Sequence, residues 1–296
     1  MDLGSNSLRV LKMDCESGEF LDEFHATVKT ADGLAHSGVI SKEAQDRVIK
    51  ALLKAKEQID FSNSTIKAVT TEAIRKAQNS QEVLENIKAK TGVNFEIIDG
   101  DDEARYALIA TLNRLKLLGI EPKSFMLADI GGASTELIFY YGDTTISKSF
   151  PVGIVTLTQS FNGLVEIADA IPAVTNSMRL FCQEVYNRYG KVEKFIAVAG
   201  TPTTIASMKK GMTYSTYDAS KIHGTILTRA DLVEQLKILL SMDRANRQEI
   251  VGVGREDLIA SGVLIYEELY NIGRFDESIV IDDGIREGVA FEVCEG

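Results

Sequence analysis

Apolar and polar positions in the first half of this chain follow two rhythms, one of strands and one of helices. Residues 8–13 and 19–29 read as two strands around a turn at Glu16-Ser17-Gly18. After a loop through Asp32-Gly33, Ser41 has the place of an N-cap and Glu43 stands in the first turn. Ala44, Val48, Leu52, Ala55 and Ile59 then form one helical stripe. A strand at 66–69 runs into Thr70-Thr71-Glu72-Ala73-Ile74-Arg75, and a helix over about 80–90 stops at Thr91-Gly92. Another strand covers 95–98. Asp99-Gly100 then opens a helix on which Ala104, Leu108, Leu112 and Leu115 share a face. This order predicts a mixed sheet covered by helices. From Ser124 it restarts: strands through Phe150, a turn at Pro151-Val152-Gly153, and helix over about 154–188 broken near Asn162-Gly163 and Pro172. A strand at 195–199, a loop over 211–224, helices at about 229–240 and 257–270, a strand at 278–281 and a short last helix complete it.

The restart opens on Ala128-Asp129-Ile130-Gly131-Gly132-Ala133-Ser134-Thr135-Glu136-Leu137, which reads as strand, glycine turn, strand. Gly131 and Gly132 admit positive φ and close approach, so that successive amides converge on one anion, with the hydroxyls of Ser134 and Thr135 as further donors. Asp129 and Glu136 flank the turn and would repel a phosphate unless a hard cation such as Mg²⁺ stood between them. A purely structural hairpin accounts for the same glycines.

A second copy of the stretch favours the ligand-binding reading. Asp2-Leu3-Gly4-Ser5-Asn6-Ser7-Leu8-Arg9-Val10-Leu11 lies over Asp129 to Ile138 at an offset of 127, and Ala68-Val69-Thr70-Thr71 over Ala197-Val198-Ala199-Gly200 at an offset of 129. Two matches at nearly one offset predict a duplicated domain, with a site in the cleft between the copies. The first strand is short by comparison, because the apolar residues before Asp129 have no counterpart before Asp2. Either the natural chain starts upstream, or this strand is unusually short.

The length of 296 residues suits two domains, and 45% hydrophobic with 25% charged residues is the composition of a globular protein. No run approaches the ~18 to 20 apolar residues of a membrane span, and Asp2 and Arg9 interrupt any signal-peptide core. Cys15, Cys182 and Cys294 are far apart and odd in number, which predicts no disulfide framework and a reducing cytoplasm. A net charge of −11 argues against a nucleic-acid partner. It leaves room for a polyanionic substrate held by metal, turn amides and a few local bases.

Glu103 is the candidate general base, placed in the first turn of a helix behind a strand's C-terminal edge. The helix dipole alone favours acids there, and Asp101 and Asp102 obey the same rule. Arg75, after the threonine pair, and Arg286, in Gly284-Ile285-Arg286-Glu287-Gly288, offer charge-assisted donors to phosphate, or serve as ordinary ion-pair residues. Gly200-Thr201-Pro202-Thr203-Thr204 can cradle a further phosphate or approach a nucleoside, or simply begin a helix. His25, His36 and His223 have no metal-ligand spacing. No GxxxxGK[ST], HExxH or GxSxG pattern occurs, which disfavours P-loop enzymes, zincins and α/β-hydrolases.

In order along the chain, Asp2 to Ser7, Thr71 to Asn79, Gly100 to Arg105, Asp129 to Glu136, Gly153 to Thr158, Gly200 to Thr204 and Gly284 to Gly288 resemble the exopolyphosphatase / guanosine pentaphosphate phosphohydrolase (Ppx/GppA) family of the actin-like ATPase superfamily. The resemblance implies an α/β fold of two tandem ribonuclease-H-like domains with mixed five-stranded sheets and an interdomain active-site cleft. Their expected spans are 1–120, with 284–296 packing back on it, and 121–283. It also implies Mg²⁺ dependence and hydrolysis of a terminal phosphoanhydride in polyphosphate, guanosine pentaphosphate or both. By position, Glu103 matches the water-activating glutamate, and Asp129 and Glu136 the acidic, metal-binding pair. Gly4, Ser5, Asn6 and Ser7, together with Gly131, Gly132, Ala133 and Ser134, match the phosphate-binding turns, and Arg75 a basic position beside the phosphate chain. Gly200, Thr201 and Arg286 complete the expected phosphate contacts. Three positions depart from the pattern: Ala133 replaces a third glycine, Asp102 stands where a second glutamate is common, and the first strand is short. The absence of further C-terminal domains resembles the short two-domain branch.

Two rivals remain at this level. One is an ATP-using kinase of the same superfamily, with the loop at Gly200 against adenosine. The other is a non-catalytic actin-like nucleotide binder in which Glu103 merely opens a helix. The oligomeric state is open, a homodimer being compatible with the sequence.

Overall fold

The computed structural model describes residues 1–295. The chain forms two compact units, Met1–Ala110 with the segment from Gly284 onward, and Thr111–Asp283. In order it runs β1 (Asp2–Leu3), β2 (Ser7–Met13), β3 (Phe20–Thr27), α1 (Leu34–Ser37), α2 (Lys42–Gln58), β4 (Val69–Thr70), α3 (Glu72–Lys76), α4 (Ser80–Thr91), β5 (Glu96–Ile97) and α5 (Gly100–Leu117). The division between units falls inside α5, not after it. Unit 2 continues with β6 (Phe125–Ile130), β7 (Thr135–Tyr140), β8 (Thr145–Phe150), α6 (Ile154–Ser160), α7 (Leu164–Val174), α8 (Asn176–Tyr189), β9 (Lys194–Val198) and α9 (Gly200–Lys209). Then come α10 (Ala219–Ile222), β10 (Thr225–Thr228), α11 (Arg229–Ser241), α12 (Arg244–Val251), α13 (Ile259–Gly273) and β11 (Glu277–Val280), and α14 (Ile285–Glu295) belongs to unit 1.

Unit 1 is a five-stranded sheet in the order β3-β2-β1-β4-β5, antiparallel across β3-β2-β1 and parallel across β1-β4-β5. On one face lies α2, begun by the Ser41 hydroxyl accepting the Ala44 amide at 3.1 Å; its stripe of Ala44, Val48, Leu52 and Ala55 is buried with Leu8, Val10 and Leu3. Each such large side chain contributes roughly 1.5–3 kcal/mol by leaving water. Val69, Ile98, Tyr106 and Val289 form a second, smaller cluster with α14. Gly288 of α14 lies so close to the Tyr106 backbone of α5 that any Cβ would strike its carbonyl. Cys15, in the β2–β3 turn, and Cys294 of α14 form a disulfide with their Cα atoms 5.0 Å apart, contrary to the expectation of no disulfide. A separation of 279 residues leaves no spacing to read, and the ground for expecting a reducing compartment goes with it. Among the described residues no helix is long and apolar enough to cross a membrane.

Unit 2 repeats the plan. Its order β8-β7-β6-β9-β11 matches β3-β2-β1-β4-β5 in sequence and direction, and β10 adds an antiparallel sixth strand outside β11. The expected five strands are therefore six here. Thr-Ile-Leu-Thr is too short to show alternation, and Thr228 also caps α11 through the Asp231 amide. The expected break near Pro172 falls just beyond it: α7 runs through Pro172 to Val174, and α8 begins at Asn176. Phe125 to Ile130 are all buried, as in a strand covered on both faces. Phe195 of β9 packs against Tyr266, Tyr270 and Phe275.

Candidate active site

In unit 2 the stretch singled out in the sequence is the β6–β7 hairpin. Gly131 donates its N–H to Ser134 O at 2.9 Å, closing the turn. Neither Gly131 nor Gly132 uses the positive φ that glycine allows. At Gly131 the constraint is close approach: a Cβ there would lie 2.9 Å from Ser134 O. Ala133 likewise has no positive φ, so alanine in place of a third glycine costs the turn nothing in backbone strain. The turn rests on the first turn of α6, whose Ile154 and Val155 amides donate to Gly131 O at 3.1 Å and Gly132 O at 2.7 Å. Gly153 makes this seat, since its Cβ would lie 2.5 Å from Gly132 C and 2.6 Å from Ala133 C.

The register β6 to β7 places Asp129 directly opposite Glu136. Both are buried, and Ser149 donates its hydroxyl to Glu136 Oε1 at 2.7 Å. Two facing carboxylates beside a turn are oxygen donors of the kind a hard cation takes. Among the described residues no group of three or more His, Cys, Asp or Glu is gathered as a metal cage. Two carboxylates fit Mg²⁺ nonetheless, because that ion keeps several waters and takes few protein ligands.

In unit 1 the equivalent hairpin joins β1 to β2, with Gly4 N–H donating to Ser7 O at 2.9 Å. Ser5 and Asn6 carbonyls accept the amides of Ala31 and Val28 at 2.9 Å, which ties the turn to the loop after β3. Asp2 stands opposite Arg9, where unit 2 has Asp129 opposite Glu136. Burial raises the Asp2 carboxyl, against the pull of Arg9 and the N-terminus. Among the described residues its Oδ1 and the Oδ1 of Asn6 are buried acceptors without a partner, so this turn offers two lone-pair groups to a hydrogen-bond donor.

Glu103 is buried in the first turn of α5, where Asp99 Oδ1 accepts the amides of Asp101 and Asp102. Arg75 of α3 donates to Glu103 Oε1 at 2.7 Å and to Ile98 O at 2.5 Å, and also pairs with Glu72. The arginine expected at the phosphate is thus bound to three acceptors and holds the candidate base. Burial opposes its charge, but the pairs with Glu103 and Glu72 raise its pKa. Arg286 is likewise bound by carboxylates, Glu287 and, at 2.9 Å, Glu23.

At the β9–α9 junction Ala199 has φ 71° and ψ −171°, a conformation that costs a non-glycine residue about 1–3 kcal/mol. The strained corner turns the chain from β9 into Gly200 and Thr201. Thr204 Oγ1 donates to Gly200 O at 2.6 Å, and Thr201 Oγ1 is buried without a partner. Arg255 donates to Gly200 O at 2.7 Å and to Thr204 Oγ1 at 2.9 Å, a contact that sequence reasoning missed. It stands 51 residues from Thr204 in an irregular stretch, with no motif around it.

Residues 13–295 match the model of the Ppx/GppA phosphatase family. "Exopolyphosphatase 2" of Mycobacterium tuberculosis is 28% identical over 319 residues, covering 99% of this chain and 97% of that protein. "Guanosine-5'-triphosphate,3'-diphosphate pyrophosphatase" of Vibrio vulnificus is 26% identical over 305 residues, covering 99% of this chain and 58% of that protein. The crystal structure of the Aquifex aeolicus Ppx/GppA family member superposes with a TM-score of 0.73 at 28% identity, covering 99% of this chain and 96% of that one. The two mixed sheets are those of the actin-like ATPase fold, and the chain belongs to the Ppx/GppA phosphatase family.

Proposed function

We propose that this protein hydrolyses the terminal phosphoanhydride bond of inorganic polyphosphate or guanosine pentaphosphate in the presence of Mg²⁺. The observation that carries the reading is the buried carboxylate pair of Asp129 and Glu136, set opposite each other at the foot of a glycine turn. Two carboxylates on facing strand positions are oxygen ligands of the kind a hard cation takes, and the turn amides suit an anion. The names of the mycobacterial and Vibrio relatives supply the two substrates.

In the reaction Glu103 accepts a proton from water as the water oxygen bonds to the terminal phosphorus. The bond from that phosphorus to the bridging oxygen breaks, releasing orthophosphate and a chain one phosphate shorter. Arg75 is a positioning residue: it fixes Glu103, and an adjacent guanidinium favours the ionised carboxylate that a base requires. The turns at Gly4 to Ser7 and Gly131 to Ser134 bind phosphate oxygens through backbone donors, and Gly200 and Thr201 take a further part of the substrate. Asp129 and Glu136 would hold Mg²⁺, whose charge would offset that of the phosphate oxygens.

The test is phosphate release from polyphosphate of several lengths, guanosine pentaphosphate and ATP, with wild type and Glu103→Gln. The substitution is expected to lower kcat at least about a hundredfold while Mg²⁺-dependent substrate binding persists. Preference for ATP with an acceptor would make the protein a kinase, and unchanged turnover in Glu103→Gln would remove the base.

A further inference from the structure

A covalent link ties together two parts of unit 1 that the proposed reaction does not use. Cys15 sits in the β2–β3 turn and Cys294 in the last turn of α14, and their disulfide spans 279 residues of sequence. No core depends on it, since the main cluster of unit 1 runs from Met1 to Phe95 without a cysteine. The link is also within reach of solvent. Cys15 is exposed and Cys294 half-buried, whereas the free Cys182 of unit 2 is buried.

The two ends of the bridge are held in different ways. The turn supports itself: Asp14 Oδ1 accepts the Glu16 and Ser17 amides at 2.8 and 2.9 Å, and the Asp14 carbonyl accepts the Gly18 amide at 2.8 Å. Opening the disulfide therefore leaves the turn in place. The last turn of α14 leans on distant partners instead. Phe291 stands with its ring 6.3 Å from that of Phe20, and Glu292 accepts from Lys67 and from the Tyr106 hydroxyl, both at 2.7 Å, and pairs with Arg105. Glu292 joins the bridge to the candidate base. It lies two positions before Cys294, and Arg105 lies two positions after Glu103 on α5, where it also pairs with Asp102.

We propose that Cys15 and Cys294 form a reversible thiol–disulfide exchange site whose co-substrate is a dithiol, and whose state sets how firmly α14 holds the first turns of α5. A thiolate of the dithiol bonds to the exposed Cys15 Sγ, and the electron pair of the Sγ–Sγ bond leaves on Cys294, which takes up a proton. The second thiolate of the dithiol then closes on the first sulfur and expels Cys15 as a thiolate, which is protonated in turn. Two electrons pass: the dithiol becomes a disulfide and the protein disulfide becomes two thiols. A dithiol is preferred to a monothiol because its second sulfur resolves the mixed disulfide within one molecule. Reduction frees the last turn of α14, weakens the hold of Glu292 on Arg105 and Tyr106, and loosens the helix start that carries Glu103. The effect on turnover rests on the proposed function; the exchange chemistry and the change in α14 do not.

The test uses the full chain, oxidised or treated with dithiothreitol, beside the double variant Cys15→Ser/Cys294→Ser. Thiols titrated after denaturation are expected to rise from one, Cys182, to three on treatment, and to return to one on exchange with glutathione disulfide. In the reduced protein and the double variant, amides of residues 291–295 are expected to exchange at least about tenfold faster and those of 103–106 about threefold faster. Melting is expected to fall by roughly 5–10 °C, because the closed loop is long. Phosphate release is expected to lose roughly two- to fivefold in kcat with KM nearly unchanged. Should the double variant fold poorly, Cys294→Ser alone supplies the open state. A disulfide that resists dithiothreitol up to the melting temperature would be an inert staple and would overturn the proposal. Equal exchange over 291–295 in all forms would do the same, and loss of protection confined to 291–295 would remove the lever on α5. If thiols and exchange respond while no substrate releases phosphate, the proposed function fails and the exchange site stands.

Discussion

Replacing Gly153 with alanine is the sharpest probe of how unit 2 builds the turn proposed to bind phosphate. The new Cβ would meet Gly132 C at 2.5 Å and Ala133 C at 2.6 Å, whereas ordinary contact begins near 3.4 Å. The turn must therefore withdraw by about 0.9 Å, and since both obstacles are backbone no side-chain rotation relieves them. Withdrawal stretches the 3.1 Å and 2.7 Å hydrogen bonds from Ile154 and Val155 that hold Gly131 and Gly132 in place. Overpacking of this kind costs about 1–3 kcal/mol, and a displacement near 1 Å at a reacting group lowers turnover roughly a hundredfold. Steady-state phosphate release and thermal melts on the same preparations measure both. Gly273→Ala is the control: its Cβ meets only the ends of Phe275 and Met126, away from the turn, so it is expected to lower Tm with kcat nearly intact. If Gly153→Ala retained wild-type kcat, or lost no more than Gly273→Ala at equal loss of Tm, the close seat of the turn would have no part in catalysis.

Further outcomes follow from other contacts. Arg75→Met is expected to lower kcat by roughly ten- to a hundredfold and to shift KM by less than about threefold, because Arg75 binds Glu103; a large KM effect with kcat intact would make it a phosphate ligand after all. Glu292 feels burial, which raises its pKa, but Lys67, Tyr106 and Arg105 donate to it and prevail, holding it down at about 2. Its folded pKa is below its usual value, so its contribution is complete above about pH 4.5 and is lost as pH falls toward 2; for a partly exposed group this is about 1–2 kcal/mol. Glu292→Gln is expected to flatten the fall in unfolding free energy between pH 5 and 2 by that amount, read in denaturant melts. Ala199→Gly relieves the strained φ of 71° and is expected to leave stability unchanged or raise it by up to about 1 kcal/mol, read in denaturant melts; a loss above that would show the strain to be absent.

Elements whose cause is local were legible in the sequence. The Ser41 cap, the stripe on α2 and the β6–β7 hairpin follow from residues within a few positions of one another. So did the repeat, because a duplicated strand and turn keep their order when the rest of the chain diverges. What stayed hidden depends on distant partners. Arg75 looks like a phosphate donor until α3 brings it to Glu103, and Arg255 has no motif until it reaches the first turn of α9. Cys15 and Cys294 meet only because α14 returns to the first sheet. The glycines were placed well but for a reason that held only in part, since Gly131 and Gly153 are required by crowding and not by positive φ.

The two hairpins share a backbone and differ in charge, and that difference bears on how a duplicated fold acquires one metal site. Both pair the strand-end aspartate with the residue seven positions on, at the same register. In unit 1 that residue is Arg9, whose guanidinium offsets Asp2; in unit 2 it is Glu136, which doubles the negative charge beside Asp129. A divalent cation is drawn to the second arrangement and discouraged by the first, while the backbone donors of the turns are indifferent to the change. Duplication thus supplies two turns of one backbone design, and under the proposed function a single position decides which of them would carry the ion. The acidic chain as a whole, at −11, gives no general attraction for a polyanion, so under the proposed function binding depends on such local contrasts.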